Sequence, residues 1–326
     1  MLLVTGGAGY IGSHFVKAYI SRFEGQKLAV LDNFSLGHKK ALPDYKQLEI
    51  IDCDLMNLDA LNKVFKTLKV DSVIHFAAFT QVGESQLNPV KYFQNNVTGS
   101  INLVNAMADN NVNKIVFSST CAVYGIPDFY PITENTKINP MNIYGLTKKM
   151  VEEVLMAMRD TKGFSSVILR YFNAAGASDD GSIGESHIDE SHLIPLVLDS
   201  AITQKPLKVF GDDYETPDGT CIRDYIHVND LAQAHLSALD LVKQNHYLNI
   251  FNLGSGCGAS ILEIIKLASQ ITKVEIPYTV VDRRPGDPPI LIANYDKAKE
   301  YLNFKPKYDI QKIIETAWRW QRNKAF

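Results

Sequence analysis

With 326 residues, 46% of them apolar and 21% charged, the chain is long enough for a full core in two domains, or in one domain with a large lobe. Its formal net charge of −3 gives no basic footprint for nucleic acid or an anionic membrane, so an anionic ligand needs local cations. No apolar run nears a membrane span, and a core strand from Leu2 leaves no room ahead of it for a signal peptide.

The four cysteines, at 53, 121, 221 and 257, are scattered. They predict buried free thiols in a reducing cytoplasm and no zinc site; no metal is expected. A strand over 2–5 runs into Gly6-Gly7-Ala8-Gly9-Tyr10-Ile11-Gly12 and then a helix over 11–21. Apolar residues at 11, 15, 16, 19 and 20 carry its helical period. Glycines 6, 9 and 12 let a backbone approach a diphosphate and aim a helix N-terminus at its charge. A glycine repeat alone also suits a ligand-free βα turn. Here the order strand, turn, helix, strand, acid strengthens it, because Asp32 ends the next apolar run, Leu28–Leu31. A carboxylate there accepts hydrogen bonds from a ribose and disfavours a 2′-phosphate, so NAD is expected rather than NADP.

Further strands are predicted at 47–51, 72–76, 114–118 and 165–170, and helices at 57–67, 89–109 and 144–160. That alternation predicts an α/β fold, a doubly wound parallel sheet of Rossmann type with a smaller C-terminal substrate-binding lobe. Residues 174–190, rich in Gly, Ser, Asp and Glu, read as a loop. The segment 225–241 reads as another strand and helix returning to the sheet. The domains are therefore expected at 1–173 with about 222–248 for NAD, and 174–221 with about 249–326 for the substrate.

Two features sit behind the glycine turn. The strand Ile115–Thr120 ends in Ser118, Ser119 and Thr120, hydroxyls at the carboxyl end where the ligand crevice lies; turn capping is the plain alternative. Tyr144 and Lys148 lie four apart on one helix face, where an ammonium favours the phenolate and makes it a usable base. The spacing is cheap, and Tyr295 with Lys299 and Tyr301 with Lys305 repeat it. Only Tyr144 follows the hydroxyl strand. Asn173, Arg223, Tyr225, Arg284 and Asp287 are candidate diphosphate and base ligands, or else partners in surface ion pairs.

Together these stretches resemble the extended short-chain dehydrogenase/reductase superfamily, and within it the UDP-glucose (UDP-galactose) 4-epimerase family. The resemblance rests on Thr5–His14, Asp32-Asn33, His75–Ala78, Val82–Ser85, Asn95–Val97, Tyr144–Lys148 and Leu169–Asn173. Asp218–Val228 and Arg283-Arg284-Pro285-Gly286-Asp287 extend it over nearly the whole chain. It implies C4 epimerisation of UDP-glucose and UDP-galactose with bound NAD, in a homodimer formed through helices such as 89–109 and 144–160.

On the cofactor side it implies the glycine turn with Tyr10 and Ile11, Asp32, Asn33, Phe34, Ser35, Asp54 and Leu55 for the adenosine half. Phe76, Ala77, Ala78, Phe79, Thr80, Asn95, Ser118 and Phe172 would border the rest. Tyr144 would be the base, Thr120 would hold the sugar 4-hydroxyl and Lys148 the nicotinamide ribose. Asn173, His192, Leu193, Phe210, Arg223, Tyr225, Arg284 and Asp287 would hold the UDP moiety.

Four positions depart from other members. Thr80 stands where some carry Lys near the diphosphate, Thr120 replaces a Ser, and His192 replaces an Asn. Leu291 stands where a Tyr often borders the sugar's C2 substituent; as a core strand residue it would have no such role. Dehydratases of this superfamily carry Asp-Glu where this chain has Cys121-Ala122, which argues against loss of water. UDP-N-acetylhexosamine or UDP-pentose 4-epimerisation, and a non-catalytic NAD sensor on the same fold, stay open at this point.

Overall fold

The computed structural model describes residues 1–244, 247–284 and 286–326. Asn245 and His246, in the expected 222–248 segment, and Pro285, in the arginine-rich motif, lie outside the described residues.

In chain order the first elements are β1 (Leu2–Thr5), α1 (Tyr10–Arg22), β2 (Leu28–Asp32), β3 (Leu48–Asp52), α2 (Leu58–Leu68) and β4 (Ser72–His75). Then come α3 (Val82–Leu87), α4 (Pro89–Tyr92), a π-helical turn (Phe93–Thr98), α5 (Gly99–Asp109), β5 (Lys114–Thr120), α6 (Ile143–Lys162) and β6 (Ser165–Tyr171). The second half adds β7 (Asn173–Ala175), α7 (Leu193–Thr203), β8 (Leu207–Phe210), β9 (Ile222–His227), α8 (Val228–Leu241) and β10 (Leu248–Leu253). It closes with β11 (Gly258–Ser260), α9 (Ile261–Thr272), β12 (Tyr278–Val281), β13 (Ile290–Leu291), α10 (Asp296–Leu302) and α11 (Ile310–Arg322).

The chain divides into two compact units, Met1–Gly125 with Ile138–Arg170 and Ala232–Phe251, and Ile126–Lys137 with Tyr171–Leu231 and Asn252–Phe326. The first holds a seven-stranded sheet in the order β10-β6-β5-β4-β1-β2-β3. β1 pairs in parallel with β2 and β4, β2 with β3, and β4 with β5. β1, β2 and β4 are buried throughout, as strands covered on both faces must be. Leu3, Leu31, Phe65, Val73, Leu103, Met107, Phe117 and Leu155 belong to one continuous core cluster of this unit. The strand order reverses between β1 and β4, and ligands of such sheets bind beyond the carboxyl ends at that switch.

The second unit packs Ile194, Val197, Leu198, Tyr225, Ile264, Ile265 and Ile314 into its own core. Its sheet runs β11-β9-β13, with β7 also parallel to β9, and β12 pairs with β8.

Four sequence expectations change in detail. The 225–241 segment does not return whole to the large sheet: β9 pairs with β7, β11 and β13, and it is β10 that joins the large sheet beside β6. The loop 174–190 begins inside β7 and carries an antiparallel bridge between Ala177 and Gly184. The helix read as 89–109 contains a π-helical turn, Phe93–Thr98, with Asn96 and Val97 buried, which the sequence reading did not include. Of the cysteines, Cys53 and Cys221 are buried, but Cys257 is exposed. No helix is long and apolar enough to cross a membrane among the described residues.

Candidate functional site

The turn after β1 is built for close approach. Gly6 sits at φ +69°, and a Cβ on it would lie 2.5 Å from the Ala77 backbone nitrogen. A Cβ on Gly12 would lie 2.2 Å from the Gly6 carbonyl oxygen. Glycine alone meets both demands. Gly9 is the N-cap of α1 and provides no side-chain cap, and the first turn, which starts at Tyr10 and Ile11, carries no acidic residue. The positive end of the helix is thus left for an anion.

Asp32, buried at the end of β2, accepts hydrogen bonds from the Ala8 (3.0 Å) and Phe34 (2.9 Å) backbone N–H groups. Burial pushes its pKa up and those two bonds pull against it. Each oxygen keeps a lone pair for a ribose hydroxyl. Beside it, Asn33 donates to Asp54 at 2.8 Å and accepts from the Ser35 N–H and hydroxyl. Phe34 takes a left-handed backbone, φ 53°, so that the chain can turn away there. Leu55 is buried, and its carbonyl accepts from Asn102 at 3.0 Å.

After β4 the backbone N–H groups of Phe76 and Ala77 both donate to the Thr5 carbonyl, which fixes that crossing against the glycine turn. Ala78 follows, and Phe79 is clamped by Asn96: the Phe79 N–H donates to Asn96 Oδ1 (2.8 Å) and Asn96 Nδ2 to the Phe79 carbonyl (2.9 Å). Asn96 also donates to Thr147 Oγ1 on α6 and accepts from Asn95. Thr80 is exposed. Asn96 was not among the residues read from sequence; a buried Asn in a π-helical turn looks like any helical Asn until its partners are seen.

The chemistry-bearing side chains lie deeper. β5 ends at Thr120, whose hydroxyl accepts from the Ala122 N–H at 3.1 Å. Tyr144 opens α6 just after its cap Asn142, which accepts from the Gly145 N–H at 2.7 Å. A Cβ at Gly145 would lie 2.6 Å from the Ala122 carbonyl oxygen, so this glycine lets the start of α6 close on the turn after Thr120. Tyr144 is 7% exposed and Lys148 3%. Lys148 Nζ donates to the Ser118 carbonyl at 2.8 Å and lies 4.9 Å from the Phe117 ring centre. Burial pulls its pKa down to about 7, while Glu152 one turn on works the other way.

Beneath this pair Glu152 accepts from Ser119 (2.5 Å) and from Arg170 at Nε (3.0 Å) and Nη2 (2.5 Å), and Arg170 also donates to the Tyr124 hydroxyl. The buried ion pair is bidentate and further bonded, the condition under which burying two charges is tolerated. Ser118 Oγ bonds His235 Nε2 at 2.9 Å. His75 bridges Thr5 (2.7 Å) and Ser100 (2.8 Å), and burial followed by the nearby Lys148 charge drives its pKa to about 3, so it is neutral. The site floor is a set of mutually bonded buried polar groups, with Tyr144 and Lys148 on the same helix above it.

The second unit gathers the candidate anion ligands. Arg223 on β9 pairs with Asp287 at 2.5 Å and donates to the Ile222 carbonyl at 2.8 Å. Tyr225, two residues on, is buried, which pushes its phenol pKa up. Asp224 between them is fully buried and accepts from the Ser255 N–H (2.7 Å), the Ser255 hydroxyl (2.6 Å), the Gly256 N–H and the Ala293 N–H. That carboxylate fixes the strand on which Arg223 and Tyr225 stand. Asn173 on β7 donates to the Asp224 carbonyl at 2.9 Å, and Phe172 before it is buried. The Arg284 guanidinium stacks on Phe210 at 3.9 Å. Arg283 instead pairs with Asp213 at 2.6 Å. Leu193 begins α7, His192 is its N-cap, and half-buried Leu291 ends β13. His192 bonds Glu185 through Nδ1; burial opposes its charge, but Glu185 and Glu190 outweigh that and lift its pKa to about 9.

These features fit a dinucleotide on the first unit: a glycine cradle that a Cβ would fill, an uncapped helix end, and a carboxylate at the end of β2. The model of the NAD dependent epimerase/dehydratase family matches residues 2–254. The chain is 46% identical over 324 residues to the UDP-glucose 4-epimerase of Lactobacillus helveticus, covering 99% of this chain and 97% of that protein. The crystal structure of UDP-glucose 4-epimerase from Brucella ovis in complex with NAD superposes with a TM-score of 0.92 at 43% identity, covering 97% of each chain. The one from Bifidobacterium longum in complex with NAD+ and UDP gives 0.93 at 35% identity, covering 99% of this chain and 98% of that one.

Proposed function

We propose that the chain, which belongs to the NAD dependent epimerase/dehydratase family, is an NAD-using isomerase that interconverts UDP-glucose and UDP-galactose by inverting C4. The observation that carries this reading is the buried Tyr144–Lys148 pair, set on one helix face behind the hydroxyl-ended β5 and in the same unit as the glycine turn.

NAD, held by the glycine turn and Asp32, would supply the acceptor and then the donor for the hydride at C4, with no net consumption. Tyr144 as phenolate removes the proton from the sugar O4 and later returns it. The Thr120 hydroxyl orients O4. Lys148 would hold the phenolate's charge and bond the nicotinamide ribose. The transient 4-keto sugar must turn over to take hydride on its other face, so the protein has to grip UDP firmly and the sugar loosely. Arg223, Tyr225, Arg284 and Asp287, with Phe210, Asn173, His192 and Leu193, are the grip. Gly6, Gly9, Gly12 and Asp32 receive the diphosphate and adenosine ribose.

Val82, Leu87, Val90 and Ile101, exposed on α3, α4 and α5, support a homodimer through this helical face. The scattered, unpaired cysteines support a cytoplasmic protein. Purified protein given UDP-galactose should form UDP-glucose without accumulating NADH. NADH rising in step with product would instead mean a dehydrogenase. Parallel incubations with UDP-N-acetylgalactosamine and a UDP-pentose define the sugar range, and light scattering on a sizing column gives the oligomeric state.

A further inference from the structure

The loop before α7 carries a donor set of which the proposed UDP site takes only His192. Within eight residues, Glu185-Ser-His187-Ile-Asp-Glu190-Ser-His192, two imidazoles and two carboxylates converge, each offering one atom within 4.8 Å of the others. His187 Nδ1 lies 3.4 Å from a Glu185 oxygen and 3.3 Å from Glu190 Oε2, and His192 Nδ1 lies 3.6 Å from Glu190 Oε1. Ligands at the bond lengths of tetrahedral zinc, about 2.0–2.2 Å, stand about 3.3–3.6 Å apart. Of the six distances among four donors, those from His187 Nδ1 to Glu185 and to Glu190 Oε2 have that value, while the 3.6 Å from His192 runs to the other Glu190 oxygen. The one between His192 and Glu185 is contracted into an ion pair.

The backbone around the set is fixed by other means. The Trp320 indole donates to the Glu185 carbonyl at 2.7 Å, and a Cβ on Gly184 would lie 2.4 Å from the Trp320 ring. One Glu190 oxygen, Oε1, accepts from the Ser191 and His192 N–H groups at 2.7 and 2.8 Å and shapes the turn. The other, Oε2, is shut off from solvent and accepts no hydrogen bond, although it faces His187. A carboxylate oxygen shut off from water, with an imidazole nitrogen at ion-pair distance but no hydrogen bond, keeps lone pairs that a cation can use.

We propose that Glu185, His187, Glu190 and His192 bind one divalent transition metal of the zinc class and thereby clip the loop to the start of α7. Mixed imidazole and carboxylate donors suit Zn²⁺ or Co²⁺ and not Mg²⁺ or Ca²⁺, which take oxygen. Cysteine spacing could not reveal the site, because its donors are His and Glu.

The test uses the full-length protein, freed of metal with a chelator and titrated with CoCl₂. One equivalent should develop the intense visible bands of four-coordinate Co²⁺, and one equivalent of Zn²⁺ should erase them. His187→Gln and Glu190→Gln should each weaken Co²⁺ binding about tenfold or more, whereas Glu153→Gln, exposed on α6, should not. His192 is left alone because it also stands beside the proposed UDP site. His187→Gln is the milder variant, since the contacts of His187 run to Glu185, Glu190 and His192; if Glu190→Gln fails to fold by circular dichroism, it decides alone. No Co²⁺ bands at equimolar metal, or bands that survive His187→Gln in a folded protein, would overturn the site and leave a plain ion-pair network. Neither readout depends on turnover of a nucleotide sugar.

Discussion

The two units hold their functional groups in opposite ways. In the first, the groups are set by backbone: strand ends, a glycine cradle and a helix opening position Asp32, Thr120, Tyr144 and Lys148, and the nearby buried polar atoms are mutually bonded. In the second, charged side chains are set by other charged side chains, as in Arg223–Asp287 and Arg283–Asp213. A hydride transfer needs fixed geometry, and backbone supplies it. If the second unit is the proposed anion clamp, its carboxylate partners would hold Arg223 and Arg283 oriented before the anion binds. The first unit should therefore fail abruptly on substitution and the second by degrees.

Tyr144→Phe should show the sharpest failure. Turnover of UDP-galactose should fall by about 10²–10⁴-fold or more, with NAD content and circular dichroism unchanged. Tyr295→Phe, which carries the same Tyr-to-Lys spacing in the other unit, should stay near wild type. The reverse result would move the base out of α6.

Gly12→Ala comes next. Its methyl would sit 2.2 Å from the Gly6 carbonyl, which cannot move without opening the turn. The cofactor released on denaturation should drop about tenfold or more, as measured by an enzymatic NAD assay. A variant that keeps its NAD would mean that the turn is not the diphosphate site.

Graded loss is expected in the second unit. Arg284→Met should raise KM for the UDP-sugar about 10–100-fold, the worth of a hydrogen bond to a charged group, with little change in Tm. Arg223→Met should raise KM and also lower Tm, because it strands Asp287 beside a buried strand. Equal effects on Tm would erase the distinction between a reserved and a paired arginine.

Leu291→Tyr should act more mildly. If Leu291 borders the sugar's C2 substituent, UDP-N-acetylglucosamine is a poorer substrate than UDP-glucose, and the ring should suppress it by about 1–3 kcal/mol while sparing UDP-galactose. Equal loss of both activities would make Leu291 a core residue only.

A last effect concerns acid. His75 has a folded pKa of about 3, below its unfolded value, so between those values the unfolded chain binds a proton that the folded one does not. Stability therefore rises with pH across that window and is lost as pH falls through it, by up to about 1.4 kcal/mol per pH unit. His75→Gln should flatten the decline of the urea midpoint between about pH 6.5 and pH 4. An unchanged slope would show that His75 does not carry it.

The first unit was far more legible in the sequence than the second. The glycine turn, Asp32, the hydroxyl end of β5 and the Tyr144–Lys148 face all follow from contiguous stretches, because a βα unit writes its ligand contacts into one turn and one helix period. Asn96, Gly145 and Asp224 were not legible as site supports, because each acts on a backbone atom far away in the chain.

The amino-acid sequence by itself determined the parallel α/β sheet, and it marked the glycine turn and the Tyr144–Lys148 face as candidate sites, since hydrophobic period, glycine spacing and helical spacing are local properties. Tertiary structure alone decided that β9 leaves the large sheet and β10 joins it, that Arg223 is paired, and that a His and Glu ring closes before α7. Strand pairing and ion pairing depend on which distant segments meet, and no local pattern encodes that meeting.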